Sequence, residues 1–404
     1  MTNAPEIRFK GYTNAWEQRT VGEYGFFYYG KSAPKWSVAS DAPTPCVRYG
    51  ELYAKYNEKI DKILSRTNIP PEQLKFSKGH EVLVPRVGEE PLDFANCSWL
   101  SIPDIAIGEM ISVYNTEQNP LFVALYFNAM LKHEFAEKVE GGNVSNLYYD
   151  RLIDIPVKFP SVKEQELIAM LFDKLNNTIA IYKRKLDGLR ELKKAYLQQM
   201  FPQAGEAVPR VRFEGFSEPW EQYRLGDIAE TVTGSTPPTS DRNLYNGEYL
   251  FVSPVDIQGN RYVKTTKTTL TEAGFNKGRK IRGGASLFVC IGSTIGKIAQ
   301  TVSHSTTNQQ INAVIGNEDI EDDFIYILLL KESDKIQKLS ATQAVPIINK
   351  TTFENIPLLL PRNKNEQVAI GNFFYNFDKQ IEIHSEKIAR LKVLKTAYLQ
   401  KMFI

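Results

Sequence analysis

The residue groups that could do chemistry are few, and each is incomplete. Gly292-Ser-Thr-Ile-Gly296-Lys297 has the ingredients of a phosphate-binding loop, in which backbone N–H groups cradle a polyphosphate and a lysine reaches its outer oxygens. Three residues separate its glycines where four are needed, and Ile298 stands where a Mg2+-binding hydroxyl belongs, so it reads as a glycine turn between strands. Ser32-Ala-Pro-Lys35 fits Ser-x-x-Lys but lacks every companion motif of that chemistry. Thr236-Pro-Pro-Thr239 has the wrong flanks for the Asn/Asp-Pro-Pro-aromatic tetrapeptide of an amino-methyltransferase; no Gly-x-Gly-x-x-Gly occurs, and no Pro-Asp is followed at suitable distance by acid-x-Lys as in a nuclease centre. The 3 cysteines (Cys46, Cys97, Cys290) are odd in number, far apart and without a Cys-x-x-Cys pair, which argues against disulfides or zinc and fits a reducing cytosol. The 4 histidines are isolated. No catalytic or metal-binding residue is singled out.

What remains is binding. The net charge of +2 says little, but its distribution is uneven. From Asn260 to Gly316 there are 8 Lys/Arg against one acid, and from Asn317 to Asp334 there are 7 acids against one Lys. The first half repeats this more weakly: 10 bases and 6 acids from Phe26 to Gly88, then 6 acids and no base from Glu89 to Glu117. Local basic fields in a near-neutral chain suit a polyanion docked at defined places, although solvated faces would give the same counts.

The elements that must position such fields come in duplicate. Glu164-Gln165 through Met200-Phe201 recurs as Glu366-Gln367 through Met402-Phe403 at a constant offset of 202, with 16 identities in 38 positions. Pro5-Glu-Ile-Arg-Phe-Lys-Gly-Tyr through Trp16-Glu-Gln recurs from Pro209 through Trp220-Glu-Gln at an offset of 204. The order is connector, variable region, helix, then all three again, a tandem duplication. In the helices, Ile168, Phe172, Leu175, Ile179, Tyr182, Leu186 and Leu189 step by 4 and 3 alternately, as do Ile370, Phe374, Phe377, Ile381, His384, Ile388 and Leu391. That period marks a coiled-coil seam, and the chain between the helices is long enough to pair them antiparallel. Thirty-eight residues make a rod of about 57 Å. The unlike pair Tyr182 and His384 is the one soft spot, with the His384 ring edge expected to meet water.

The variable regions read as α+β, with a twisted sheet and few helices. Cys46 to Leu52 and Tyr249 to Ile257 are expected short strands running into turns, and Glu81 to Pro85 and Ser286 to Gly292, after Gly79 and Gly284, are two further expected strands; Leu121 to Lys138 and Asp323 to Leu339 are expected helices. The expected domains are 1–160, a helix over 161–202, a second domain over 203–361 and a helix over 362–404. The longest apolar run, Phe324 to Leu330, is far short of the about 20 residues of a membrane span, and the start lacks the layout of a signal peptide.

Two variable regions, two helices ending Leu-Lys-x-Ala-Tyr-Leu-Gln-x-Met-Phe, an opening Pro and Glu-Gln pair (Pro160 with Glu164-Gln165, Pro361 with Glu366-Gln367) and a repeated Pro-x-Ile/Val-Arg-Phe-x-Gly-aromatic connector together closely resemble the DNA-specificity (S) subunit of Type I restriction–modification enzymes. The resemblance covers essentially the whole chain. It implies a cytoplasmic, non-catalytic subunit of a restriction system whose two target-recognition domains each read one half of a bipartite, asymmetric site in double-stranded DNA. The helices would set the spacing and dock two modification subunits, which bind S-adenosylmethionine and methylate adenine N6. Two restriction subunits, using ATP and Mg2+, would complete the endonuclease. No cofactor is expected on this chain. A coiled-coil interaction scaffold and a stand-alone DNA-modifying enzyme are the competing readings.

On that resemblance, the glycine turns that align early in each variable region become candidates for DNA contact, since backbone amides and small hydroxyls approach phosphates closely: Lys31, Ser32 and Lys35 in the first, Ser235 and Thr236 in the second. Arg48 and Tyr49 at a strand end, with Lys78 and Arg86, join the first set. Arg242, Lys264, Arg279, Lys280, Arg282 and Lys297 are candidate phosphate contacts in the second, and Asn308-Gln309-Gln310 is an amide cluster able to pair with adenine.

Overall fold

The computed structural model describes residues 4–31, 33–142, 144–340 and 346–404, so the candidate Ser32 lies outside the described residues. The chain forms two compact units, Met1–Ile181 with Ile388–Ile404, and Tyr182–Lys387. Both long helices, Val162–Gln199 and Lys364–Lys401, therefore contribute residues to both units.

The α+β expectation holds, and the two units repeat one topology. In the first, a five-stranded sheet runs Gly25–Tyr29, Ile111–Thr116, Glu81–Pro85, Ser98–Leu100, Lys59–Ile60. In the second, the order is Ala229–Thr233, Ile311–Gly316, Ser286–Val289, Ile298–Thr301, Tyr262–Val263. A second sheet in each unit carries a parallel pair, Ala106 opposite Cys46 at the centre of four strands in the first and Phe251 opposite Thr306 at one edge of three strands in the second. The middle strands Glu81–Pro85 and Ser286–Val289 are buried at every residue, which is why they read as apolar runs without alternation. Both start after a left-handed glycine, Gly79 (φ 92°) and Gly284 (φ 86°).

The expected strand from Ser286 to Gly292 ends early, at Val289, whereas the two expected strands running into turns are found as such. The first stops at Val47 because Glu51 accepts the Arg48 amide at 3.0 Å and starts a helical turn over Tyr49–Ala54. The second stops at Val252, where Asp256 accepts the Ser253 amide at 2.8 Å and caps a 3-10 turn. The expected helix from Leu121 to Lys138 is two helices, Pro120–Met130 and Lys132–Glu137, divided at Leu131. The other is Asp322–Lys338.

All three cysteines are free and buried. Burial pushes the Cys46 thiol up to about 11 and the Cys290 thiol up to about 12, and raises Cys97 further. At pH 8, below these values, the thiolate that alkylation requires is scarce. The folded chain is expected to resist iodoacetamide at pH 8 and to take up label at three sites in urea; fast labelling without denaturant would contradict the packing.

The long helices pair antiparallel. In the second unit Tyr182 meets His384 (ring centroids 5.4 Å apart), while further along Tyr196 meets Phe373 (5.0 Å) and Lys193 meets Asp378. In the first unit Ile168, Phe172 and Leu175 share a core with Leu391, Tyr398 and Phe403. Of the seam positions, Ile168, Phe172, Leu175, Ile179, Leu186, Ile370, Phe374 and Ile388 are buried; Tyr182, Leu189, Phe377, Ile381, His384 and Leu391 are half-buried. His384 is half-buried; its Nδ1 is buried without a hydrogen-bond partner among the described residues, and its ring faces Tyr182.

The repeated motifs converge on one joint per unit. The connector's Arg8 clamps Glu164 through Nε (2.7 Å) and Nη2 (2.9 Å), and Arg212 clamps Glu366 in the same way at 2.7 and 2.8 Å. The adjacent glutamines tie the helix start to the domain: the Gln165 side-chain oxygen accepts the Asn119 amide, and that of Gln367 the Glu321 amide, both at 3.0 Å. The terminal Met-Phe of the other helix closes each joint, Phe403 against Trp16 (6.4 Å) and Phe201 against Trp220 (5.5 Å).

Candidate nucleic-acid interface

At the end of the first strand of each five-stranded sheet the chain makes the same close approach. In the second unit Gly234 donates to the Ile311 carbonyl at 3.0 Å and Ser235 to that of Thr307 at 2.9 Å. A Cβ on Gly234 would lie 2.1 Å from the Asn308 carbonyl oxygen, so only glycine fits. In the first unit Gly30 donates to Ile111 at 3.0 Å and Lys31 to Ile107 at 2.9 Å, and a Cβ on Gly30 would lie 2.1 Å from the Gly108 carbonyl oxygen. The aligned glycine turns of the sequence thus occupy equivalent places.

A base guards each turn. Arg279 donates through Nη1 to the Thr233 carbonyl at 2.8 Å, and its amide meets the Ser235 hydroxyl at 3.3 Å. Lys75 donates through Nζ to the Tyr29 carbonyl, also at 2.8 Å. Lys75 was not singled out from the sequence, yet it is 204 residues before Arg279, the offset that also relates Gly30 to Gly234. Both are exposed and keep further N–H donors for an anion.

The second unit brings Ser235, Thr236, Arg279, Asn308, Gln309 and Gln310 together. Thr236 donates to Gln309 at 2.6 Å; Asn308 and Gln310 bond each other, Nδ2 to Oε1 at 2.9 Å and amide to Oδ1 at 3.1 Å. Two of the three amides thus close the turn, and exposed Gln309 faces outward. Lys280 is exposed, its ammonium 5.2 Å from the Phe275 ring centroid. Arg242 and Lys297 are exposed on separate turns. Gly292 (φ 94°) and Gly296 (φ 92°) shape the turn before Lys297, between antiparallel strands. Lys264 is held by Glu382 at 2.5 Å and Arg282 by Asp322, with Nη2 at 2.9 Å from Oδ1; that bond raises the Arg282 pKa further.

In the first unit Lys31, Lys35 and Lys78 are exposed, whereas Arg48 and Tyr49 are half-buried. Arg86 lies under the Tyr29 ring, its guanidinium carbon 4.6 Å from the centroid. Trp36, beside Lys35, is 80% exposed although its turn is fixed by a buried bond between the Ser37 and Thr67 hydroxyls at 2.8 Å; no motif marked it.

Among the described residues no three His, Cys, Asp or Glu side chains group as a metal ion would require, and no helix is long and apolar enough to cross a membrane.

A family model described as "Type I restriction modification DNA specificity domain" matches residues 107–191 and 217–393, more than half of the chain. The chain is 27% identical over 173 residues to the specificity subunit of the Type I restriction enzyme HindI from Haemophilus influenzae, covering 42% of this chain and 36% of that one. It is 22% identical over 190 residues to the MjaIX specificity subunit of Methanocaldococcus jannaschii, covering 46% and 44%. The matches span well under half the length of these curated relatives. Among solved structures, the Type I restriction–modification S subunit from M. genitalium superposes with a TM-score of 0.72 at 15% identity, covering 99% of both chains. A chain from a study of complex assembly and conformational transition in the type I R-M system gives a TM-score of 0.53 at 16% identity, covering 97% of this chain and 98% of that one. These structural likenesses bear on the fold.

Proposed function

This chain belongs to the Type I restriction–modification DNA specificity family, and from that premise we propose that it is the subunit that reads DNA for partners that do the chemistry. Each unit's domain reads one half of a bipartite, asymmetric site, and the helices set the spacing. Two modification subunits, carrying S-adenosylmethionine, dock on them and methylate adenine N6; two restriction subunits add ATP- and Mg2+-dependent cleavage. The carrying observation is the repeated glycine junction. One backbone frame presents Lys31 and Lys75 in the first unit but Ser235, Thr236, Gln309 and Arg279 in the second. A common frame with unlike side chains suits two unlike half-sites, since phosphate contacts position a protein and base contacts specify sequence.

The purified chain alone is expected to transfer no methyl group from S-adenosylmethionine, and to direct methylation to a bipartite site once modification subunits are added. Methyl transfer by the lone chain would refute the reading.

We propose Lys75 and Arg279, with Lys31, Lys35, Lys280 and Gln309, as the contact set, in preference to Lys264 and Arg282, which their carboxylate partners occupy. Lys75→Ala and Arg279→Ala should each weaken duplex binding and lower the slope of log affinity against log salt by about 1. Lys264→Ala should leave that slope unchanged. Fluorescence anisotropy over a salt series, with the modification subunits present, measures both.

A further inference from the structure

At the outer edge of each five-stranded sheet a two-residue strand lies against the long helices, and the two units use opposite charges there. In the first unit the Glu58 carbonyl accepts the Trp99 amide at 2.9 Å, and its carboxylate reaches the helices. Its Oε1 accepts from Lys395 at 2.6 Å and its Oε2 from Asn176 at 3.1 Å. The next residue, Lys59, pairs with Asp173 at 3.1 Å. In the second unit Arg261 takes the place of Glu58, its carbonyl accepting the Gln300 amide at 2.6 Å. Its guanidinium is paired with Asp323 and, through Nε, with Gln300 Oε1 at 2.7 Å, both of its own domain; it also reaches Asp378 on the long helix at 3.4 Å, and Asp378 holds Lys193 at 2.5 Å. The next residue, Tyr262, stands against Tyr375 with ring centroids 6.5 Å apart.

The helix positions are equivalent: Asn176 and Asp378, Asp173 and Tyr375, Lys193 and Lys395 are each 202 apart. The lysine is common to both sites, whereas the other two positions change together with the domain residues they face. The side chains are withdrawn from solvent: Arg261 is 2% exposed, Asp378 11%, Lys193 13%, Glu58 14% and Lys395 19%.

We propose that these residues are a key that matches each recognition domain to its own docking site on the helices. The site with Asn176 and Asp173 accepts a domain whose edge strand begins acid–base. The site with Asp378 and Tyr375 accepts one that begins base–aromatic. The discrimination comes from the mismatches. A domain of the second kind on the first site keeps its Arg261–Asp323 pair but sets Arg261 against Lys395 without Asp378 beside it, and leaves Asp173 facing Tyr262. A domain of the first kind on the second site sets Glu58 beside Asp378 with only Lys193 to share. Like or unpaired charges at this degree of burial are costly. Because Asn176 and Asp378 lie on the helix that follows their own domain, a transferred segment keeps its key when it runs past that position and loses it when it stops at the helix start. The proposal does not depend on what the domains bind.

A double-mutant cycle on the full chain tests it. Asn176→Asp places a second acid beside Glu58, and Glu58→Arg removes the acid that pairs with Lys395; each should lower the thermal midpoint. Made together they place a base beside the new acid, the part of the second unit's pairing that the long helix supplies, and should recover stability with a coupling of about tenfold in the unfolding equilibrium that weakens with salt. Additive effects would overturn the proposal. If Glu58→Arg yields no folded chain, Glu58→Gln replaces it: Asn176→Asp should then cost less beside the neutral residue than beside Glu58, and an equal cost in both backgrounds would overturn the key as surely.

Discussion

Arg212→Ala is expected to destabilise the second unit by about 3–5 kcal/mol, the cost of leaving a buried charge without its partner. Glu366 is 1% exposed and accepts both arms of the Arg212 fork; without them its remaining side-chain donor is Trp220 Nε1 at 3.3 Å. Arg8→Ala should do the same in the first unit, where Glu164 is also 1% exposed. Arg212→Lys should fall between, because an ammonium cannot make the two parallel bonds. Replacing Arg212 and Glu366 together by apolar residues of similar size should cost much less than Arg212→Ala, since no lone charge is left. Urea unfolding of the four variants decides it; a loss below about 1 kcal/mol for Arg212→Ala would mean that water screens the pair as it does on a surface.

The second large effect is Phe374→Ala, for which about 3–5 kcal/mol is expected from lost burial and the cavity left behind. Phe374 is fully buried, and its ring lies 6.3 Å from Phe201, just past the end of the other helix. Phe172 is its equivalent, 5.9 Å from Phe403. Met170, on the outer face and 59% exposed, is the control, and its replacement by Ala should stay within about 0.5 kcal/mol. Equal losses at 170 and 374 would show that the seam is misassigned.

The seam was legible because a period of 3.5 residues survives in sequence whenever a helix buries one narrow stripe. The duplication was legible because the same joint is built twice: the repeated Arg, Trp, Glu-Gln and Met-Phe are the residues that touch there. The turns that follow the strands at Arg48 and Ser253 were legible too, but not the residue at which each strand stops, because the carboxylate three residues on that accepts the backbone amide leaves no periodic trace. The candidate interface was legible at its glycines, where a close approach forbids any side chain, and poorly legible in its charges. A lysine bound to Glu382 and a lysine open to solvent look alike in one dimension. Lys75 could have been found by applying the offset that relates the glycines, whereas Trp36 carries no signal beyond its type.

The first unit takes its last seventeen residues, Ile388–Ile404, from the far end of the chain, while the second is one uninterrupted stretch. On the ribosome this inverts the usual order of completion. Residues 182–387 can close around their own core as soon as they emerge, but Trp16, Phe122 and Phe172 wait for Met402 and Phe403, made after that unit, to cover them. The unit synthesised first is the one finished last, and a nascent chain stalled near its end would show one unit resistant to protease and the other still open.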